Sequence, residues 1–175
     1  MNSLQLEQRA LRTLQETKCF QVPVPIEALA RRLKLTVRAA PLGADLSGVL
    51  VVEDGKGAIG YNADHASVRQ RFTIAHEIAH FILHIENNSR KSRVFVDRYV
   101  VYRRDGLASS GIDREEVEAN RFGAALLMPK DLVMGQIRHR SLDLDDDESV
   151  AFLAGRFQVS VAAMTNRLST LHLLR

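Results

Sequence analysis

The sequence predicts an α+β fold: a small antiparallel β-meander of about three strands packed on a mainly helical body. Three observations predict it. Leu35 to Ala40 alternates apolar and polar, Leu46 to Glu53 is rich in valine, and a turn signal separates it from Ala58 to Asn62. Apolar residues recur at helical spacing on both sides of that stretch. Residues 64–86 form the most apolar helix of the chain, and it carries His76-Glu77-x-x-His80. With 175 residues the chain can bury a core of its own, and one domain spanning 1–175 is expected.

Residues 1–34 hold two helices. Leu4, Leu11 and Leu14 recur at helical spacing and place the first over Ser3 to Lys18. Pro23 and Pro25 break it, and Pro25 suits the first turn of the second, Ile26 to Lys34. Residues 35–62 hold the meander: Leu35 to Ala40, Leu46 to Glu53 and Ala58 to Asn62, with a turn at Asp54-Gly55-Lys56-Gly57. The His-Glu-x-x-His helix then spans 64–86, with Asp64 as its expected N-cap. A stretch of interleaved basic and apolar residues, from Arg90 to Arg104, leads to a loop at 105–111. A helix over 113–128 follows, with Asp113 as N-cap and Glu116 completing a capping box. Residues 129–175 hold the C-terminal helices. The acidic cluster at 143–148 lacks the glycine and ligand spacing of a calcium loop, so a solvated turn is expected.

Composition excludes several classes. Hydrophobic residues make up 46% and charged residues 26%, which suits a soluble globular chain. A net charge of +3 is too small to argue for direct nucleic-acid binding. The lone Cys19 allows no internal disulfide, which fits a reducing compartment. The first helix is too charged for a signal peptide, and no stretch is apolar enough to span a membrane. A cytoplasmic location without membrane partners is expected.

His76 and His80 stand at i and i+4, one turn apart on one helix face, and can offer two imidazoles to one ion. Two histidines and a glutamate inside an apolar helix are costly unless something pairs them. Zn²⁺ suits neutral imidazole, although Mn²⁺ or another divalent ion would also accept such ligands. A hydrolytic zinc takes three protein ligands and leaves one position open. A third histidine six residues on is ruled out, because Glu86 stands there and Leu83 replaces the required glycine. His84 lies one turn beyond His80 and suits a supporting role better than a ligand. Glu118 heads the stripe Glu118, Phe122, Ala125, Leu126 and is the expected third ligand, with Glu115 in reserve. Glu115 and Glu116 are otherwise explained as first-turn carboxylates facing the helix dipole.

These motifs resemble a known family. Arg69-Gln70-Arg71-Phe72-Thr73-Ile74-Ala75-His76-Glu77-Ile78-Ala79-His80, followed by Glu118-Ala119-Asn120-Arg121-Phe122 through Leu126-Leu127-Met128-Pro129, is similar to the ImmA/IrrE family of metallopeptidases. Ile59-Gly60-Tyr61-Asn62, Val94-Phe95-Val96-Asp97-Arg98 and Leu153-Ala154-Gly155-Arg156-Phe157 extend the likeness over nearly the whole chain. The one small departure is Ile78-Ala79, where Leu-Gly is commoner. The resemblance implies a zinc endopeptidase with His76, His80 and Glu118 as ligands and Glu77 as catalytic base. It also implies a protein substrate: a helix-turn-helix repressor of the phage-repressor type, encoded nearby, whose cleavage releases mobile-element, stress or toxin-antitoxin genes.

On that reading Glu77 takes a proton from the attacking water and returns it to the leaving amine. Tyr99, Tyr102, His65 and His84 are candidates to support the oxyanion, and Asn120 to orient a ligand. Ala58, Ile59, Gly60, Tyr61 and Asn62 are expected to receive substrate as an added strand. Two other readings compete. Residues 148–171 have the look of a helix-turn-helix and could contact DNA, and a site that keeps its metal without cutting would make a partner-binding regulatory module.

Overall fold

The computed structural model describes residues 1–43, 45–53, 56–85, 93–98, 112–140, 142–144 and 146–174. It is an α+β fold with the elements α1 (Ser3–Glu16), α2 (Ile26–Arg32), β1 (Leu35–Ala40), β2 (Leu46–Glu53), β3 (Lys56–Asn62), α3 (Ser67–His80), β4 (Arg93–Arg98), α4 (Ile112–Leu127), α5 (Lys130–Arg140), α6 (Asp147–Phe157) and α7 (Val161–Thr170). Among the described residues no helix is long and apolar enough to cross a membrane.

The sheet corrects the expected antiparallel meander. It has four strands in the order β1-β3-β2-β4. β3 pairs with β2 antiparallel and with β1 parallel, so the sheet is mixed. The reason lies in the 41–45 connection. Five residues can span roughly 16 Å, more than the roughly 10 Å of two strand spacings. The chain therefore steps over one strand position, and β3 returns into the gap. Alternation reveals strands but not their order. A second correction follows. Ala58 to Asn62 lie in a central strand with a neighbour on each side, so they offer no free main-chain edge to a substrate.

One face of the sheet is buried. Leu50 and Val52 of β2 and Ile59 of β3 point inward, while Val51 and Glu53 point out. Leu50 and Ile59 are directly paired. α3 packs on this face, and α4 packs on the opposite side of α3. Hence every residue from Thr73 to His80 is buried. A helix covered on both sides must be apolar all round, which Ile74, Ala75, Ile78 and Ala79 satisfy. α1 packs against the other flank of α4.

The start and end of α3 differ from expectation. The helix begins at Ser67, with Ala66 and not Asp64 as N-cap. The Asp64 amide instead donates to Asn62 Oδ1 at 3.0 Å, closing a turn between β3 and α3. After His80 the chain widens into a π-helical turn, Phe81–Ile85. Arg9 of α1 donates to the Ile82 carbonyl there at 2.7 Å. Such widened turns displace carbonyls from the regular ladder, and a guanidinium is a ready partner.

Three arginines tie the layers together. Arg71 of α3 donates to the Val24 carbonyl at 2.8 Å and the Gln158 carbonyl at 3.2 Å. Arg167 of α7 is buried, donating to both Glu7 oxygens at 2.5 and 2.8 Å and to the Met128 carbonyl at 2.9 Å. Gln158, in the left-handed region at φ 54°, turns α6 into α7, and the Ser160 side chain caps α7.

Candidate metal and catalytic site

His76 and His80 project from one face of α3, and their Nε2 atoms lie 3.0 Å apart. The imidazoles meet edge to face with centroids 4.6 Å apart. A carboxylate from α4 completes the group. Glu116 Oε2 is 3.2 Å from His76 Nε2, and Glu116 Oε1 is 3.1 Å from His80 Nε2. His76, His80 and Glu116 are the residues among those described whose ligand atoms could hold one metal ion.

The donor set fits a divalent ion. Atoms about 2.0–2.1 Å from a tetrahedral centre lie roughly 3.3 Å apart, close to the separations here. His76 Nδ1 faces Asn120 Oδ1 at 3.0 Å. An amide oxygen only accepts, so Nδ1 carries the proton and Nε2 keeps its lone pair for a metal. Glu116 is held ionised. Without a metal, burial works to raise its pKa, but His76 and His80 protonated on Nε2 donate to it and bring its carboxyl well below the usual range; a cation held by the same three residues would take the place of those Nε2 protons. The His76 and His80 side chains are 4% and 2% exposed, against 32% for Glu116. The triangle is therefore walled by protein on the histidine side and open beside the glutamate.

Glu118 is placed elsewhere. It pairs with the terminal ammonium of Met1 and with Arg114 Nε at 3.5 Å. Burial raises its pKa, and these cations bring it below the ordinary value. The structure thus brings Glu116, and not the expected Glu118, to the two histidines. The physical reason is that α4 is covered on two flanks. Phe122, Ala125 and Leu126 are core residues, but the face toward α3 is Glu116, Asn120 and Gly123, spaced i, i+4, i+7. Glu118 lies roughly 200° further round the helix than Glu116. One signal could have found Glu116. If Asn120 orients a ligand, the carboxylate one turn earlier on its face is Glu116. Nor does Glu116 cap Asp113, because the helix already begins at Ile112.

The close fit of α4 on α3 depends on Gly123. A Cβ there would lie 3.3 Å from the backbone of Ala75 and His76. On the other side of α3, Glu77 is fully buried against β2. A Cβ on Gly48 would stand 2.3 Å from Thr73 Cγ2 and 3.1 Å from Glu77 Oε1. Gly48 also adjoins an irregularity in the β2–β4 register. We expect Gly48→Ala to cost about 1–3 kcal/mol in denaturant unfolding by overpacking. A stability unchanged from wild type would show that β2 yields freely at this point.

Asn120 gives a second expectation. Removing a partner that orients a metal-ligating histidine typically costs about 10–100-fold in metal affinity. Asn120→Ala should show a loss of that size in chelator competition. An unchanged affinity would mean that His76 needs no such partner.

The remaining candidates are dispersed. His84 lies on the π-helical turn with its ring centroid 5.6 Å from that of His80. Burial lowers its pKa, partly offset by Glu115. His84 thus stands beside His80 without joining the triangle. His65 sits between β3 and α3, with Nε2 3.5 Å from Asn62 Nδ2. Glu115 is half-buried beside His84 and outside the triangle. Tyr99, Tyr102 and the loop 105–111 lie outside the described residues.

Two imidazoles from one buried helix and a carboxylate from a second define a metallopeptidase-type centre. The chain belongs to the peptidase M78 family, described as the IrrE N-terminal-like domain, which it matches over residues 30–169. No curated protein matches the chain.

Proposed function

We propose that the protein is a zinc endopeptidase, held in the cytoplasm as a single domain, that cuts a helix-turn-helix repressor of the phage-repressor type and so releases the genes it silences. The observation that carries the catalytic part is the triangle of His76 Nε2, His80 Nε2 and Glu116, each side near 3 Å, on a helix whose buried Glu77 directly follows His76. His76, His80 and Glu116 would hold the ion. Bound there, zinc would supply Lewis-acid polarisation of the peptide carbonyl and acidify the attacking water.

The rest is the work of this chain's own residues. Asn120 fixes the proton of His76 on Nδ1. Glu77 accepts the proton of the attacking water and delivers it to the leaving amine. Its burial against β2 keeps bulk water from competing for that proton. Ordinary helix ends elsewhere in the protein need no such base, and a merely structural metal would not either.

The substrate strand is reassigned to β4. Among the described residues the sheet has two edges, β1 and β4, and α3 packs against β4. Asp97 of β4 pairs with Gly48, where an added Cβ would stand 3.1 Å from Glu77 Oε1. A strand added outside β4 would therefore run about two strand spacings, roughly 10 Å, from Gly48. Proline placed in turn at Val94, Phe95, Val96 and Asp97 should raise KM where the amide faces away from β2. Uniformly unchanged KM in folded variants would exclude this edge.

The DNA-binding alternative loses its charge. Arg167 is the sole cation of α7, and it is buried on Glu7 and the Met128 carbonyl. A recognition helix reads bases through several exposed cations and amides, and of these α7 exposes only Asn166. The test of the proposed function is incubation of the zinc-loaded chain with the repressor encoded beside it. One new pair of fragments, abolished by a chelator and restored by zinc, is expected. An intact repressor, both in this assay and in induced cells, would support the partner-binding alternative instead.

A further inference from the structure

A cavity of about 280 Å³ opens between α1, α4 and α7, on the far side of Asn120 from the metal triangle. Neither His76, Glu77, His80 nor Glu116 lines it. Its apolar wall comes from Leu6, Phe72, Ala124, Met128 and Ala163. A cavity of about 150 Å³ can hold benzene, so this one has room for a bicyclic ring or a chain of about eight carbons.

Its polar lining mixes donors and acceptors, with Ser3, Asn166 and Thr170 beside the charged groups. Glu7 and Arg167 also line it, but they neutralise each other. Arg121 lines it too and is exposed, with a free-standing positive charge at the mouth. Asn120 has committed Oδ1 to His76, which leaves its amide Nδ2 as the group it can offer an occupant. A cation and an amide donor at the rim of an apolar cavity match a carboxylate on an apolar body.

We propose that this cavity binds a small carboxylate-bearing amphiphile and couples its occupancy to the metal site through Asn120. A carboxylate accepting from Nδ2 polarises the Asn120 amide and makes Oδ1 a stronger acceptor for His76 Nδ1–H. The imidazole then becomes a better donor at Nε2. Phe72 provides a second link, since its ring lies 6.4 Å from that of His76. The coupling rests on the metal-binding reading above, whereas the binding does not.

Octanoate is the probe. Titrated into the metal-free, ¹⁵N-labelled chain, it should give saturable amide shifts centred on α1, α4, α7 and the Phe72 turn of α3. Ala163→Leu, which fills the cavity, should weaken binding at least tenfold, and 1-octanol should bind about tenfold more weakly than octanoate. In the cobalt-loaded chain octanoate should shift the visible bands and tighten cobalt about 2–10-fold, a part of the 10–100-fold range that orienting partners control. Should Ala163→Leu fail to fold, Arg121→Gln, at an exposed position, carries the same comparison. Absence of saturable shifts, or shifts centred on β2 and the His76–His80 turn, would overturn the site. A cobalt spectral change that survives Ala163→Leu would overturn the coupling, because it would mean direct ligation of the ion by the carboxylate. Failure of cobalt to bind at all would refute the metal reading and the coupling with it, while the amide shifts would still decide the cavity.

Discussion

Glu77→Gln is expected to keep the fold and the metal and to lose peptide cleavage by about 10²–10⁴-fold or more. General acid–base catalysis alone contributes about that range, and Glu77 is assigned both proton transfers. The isostere preserves the shape that fits between α3 and Gly48. It cannot take a proton from water. The variant should still bind the repressor and retain it as an uncut complex. Purified wild type and variant, each zinc-loaded, are compared by gel and intact mass. Equal rates of fragment formation would remove Glu77 from the mechanism, and with it the peptidase reading of this helix.

The second large effect separates two glutamates that stand two residues apart. Glu116→Ala should lose most of its bound metal, because it removes one of three ligands and leaves two imidazoles facing an open side. Glu118→Ala should keep its metal, since Glu118 faces Met1 and Arg114. The Met1 and Glu118 side chains are 32% and 14% exposed, a partly screened pair, so the stability change should be about 1 kcal/mol. Metal content after dialysis against a weak chelator reads the difference. Retention in Glu116→Ala together with loss in Glu118→Ala would restore the ligand read from the sequence and require α4 to be rotated.

Much of the fold was legible because burial writes itself into periodicity. The bounds of β1 and β2 follow directly from alternation. Helix ends shifted, as at Glu16 and Arg32, which precede the expected Lys18 and Lys34. Strand order was not legible. It depends on the reach of the 41–45 link, and no residue in β1 names β3 as its neighbour. The expected substrate strand was misplaced for the same reason, since a central and an edge strand with similar residues read alike.

The metal helix was legible because His76, Glu77 and His80 are chemically expensive in an apolar context. The third carboxylate was not, because α4 carries two inward faces. The stripe headed by Glu118 is real core packing through Phe122, Ala125 and Leu126, yet the face toward His76 is a different one. Polar residues that face a site do not extend an apolar stripe, so hydrophobic periodicity points away from them. The π-helical turn after His80 left no mark in the sequence that separates it from ordinary helix.

The most direct measurement is anomalous scattering at the zinc edge from crystals of the zinc-loaded chain. The account predicts one strong peak per chain, about 2.0–2.2 Å from His76 Nε2, His80 Nε2 and a Glu116 oxygen. A peak coordinated by Glu118, a peak away from α3, or no peak at full zinc loading would contradict it.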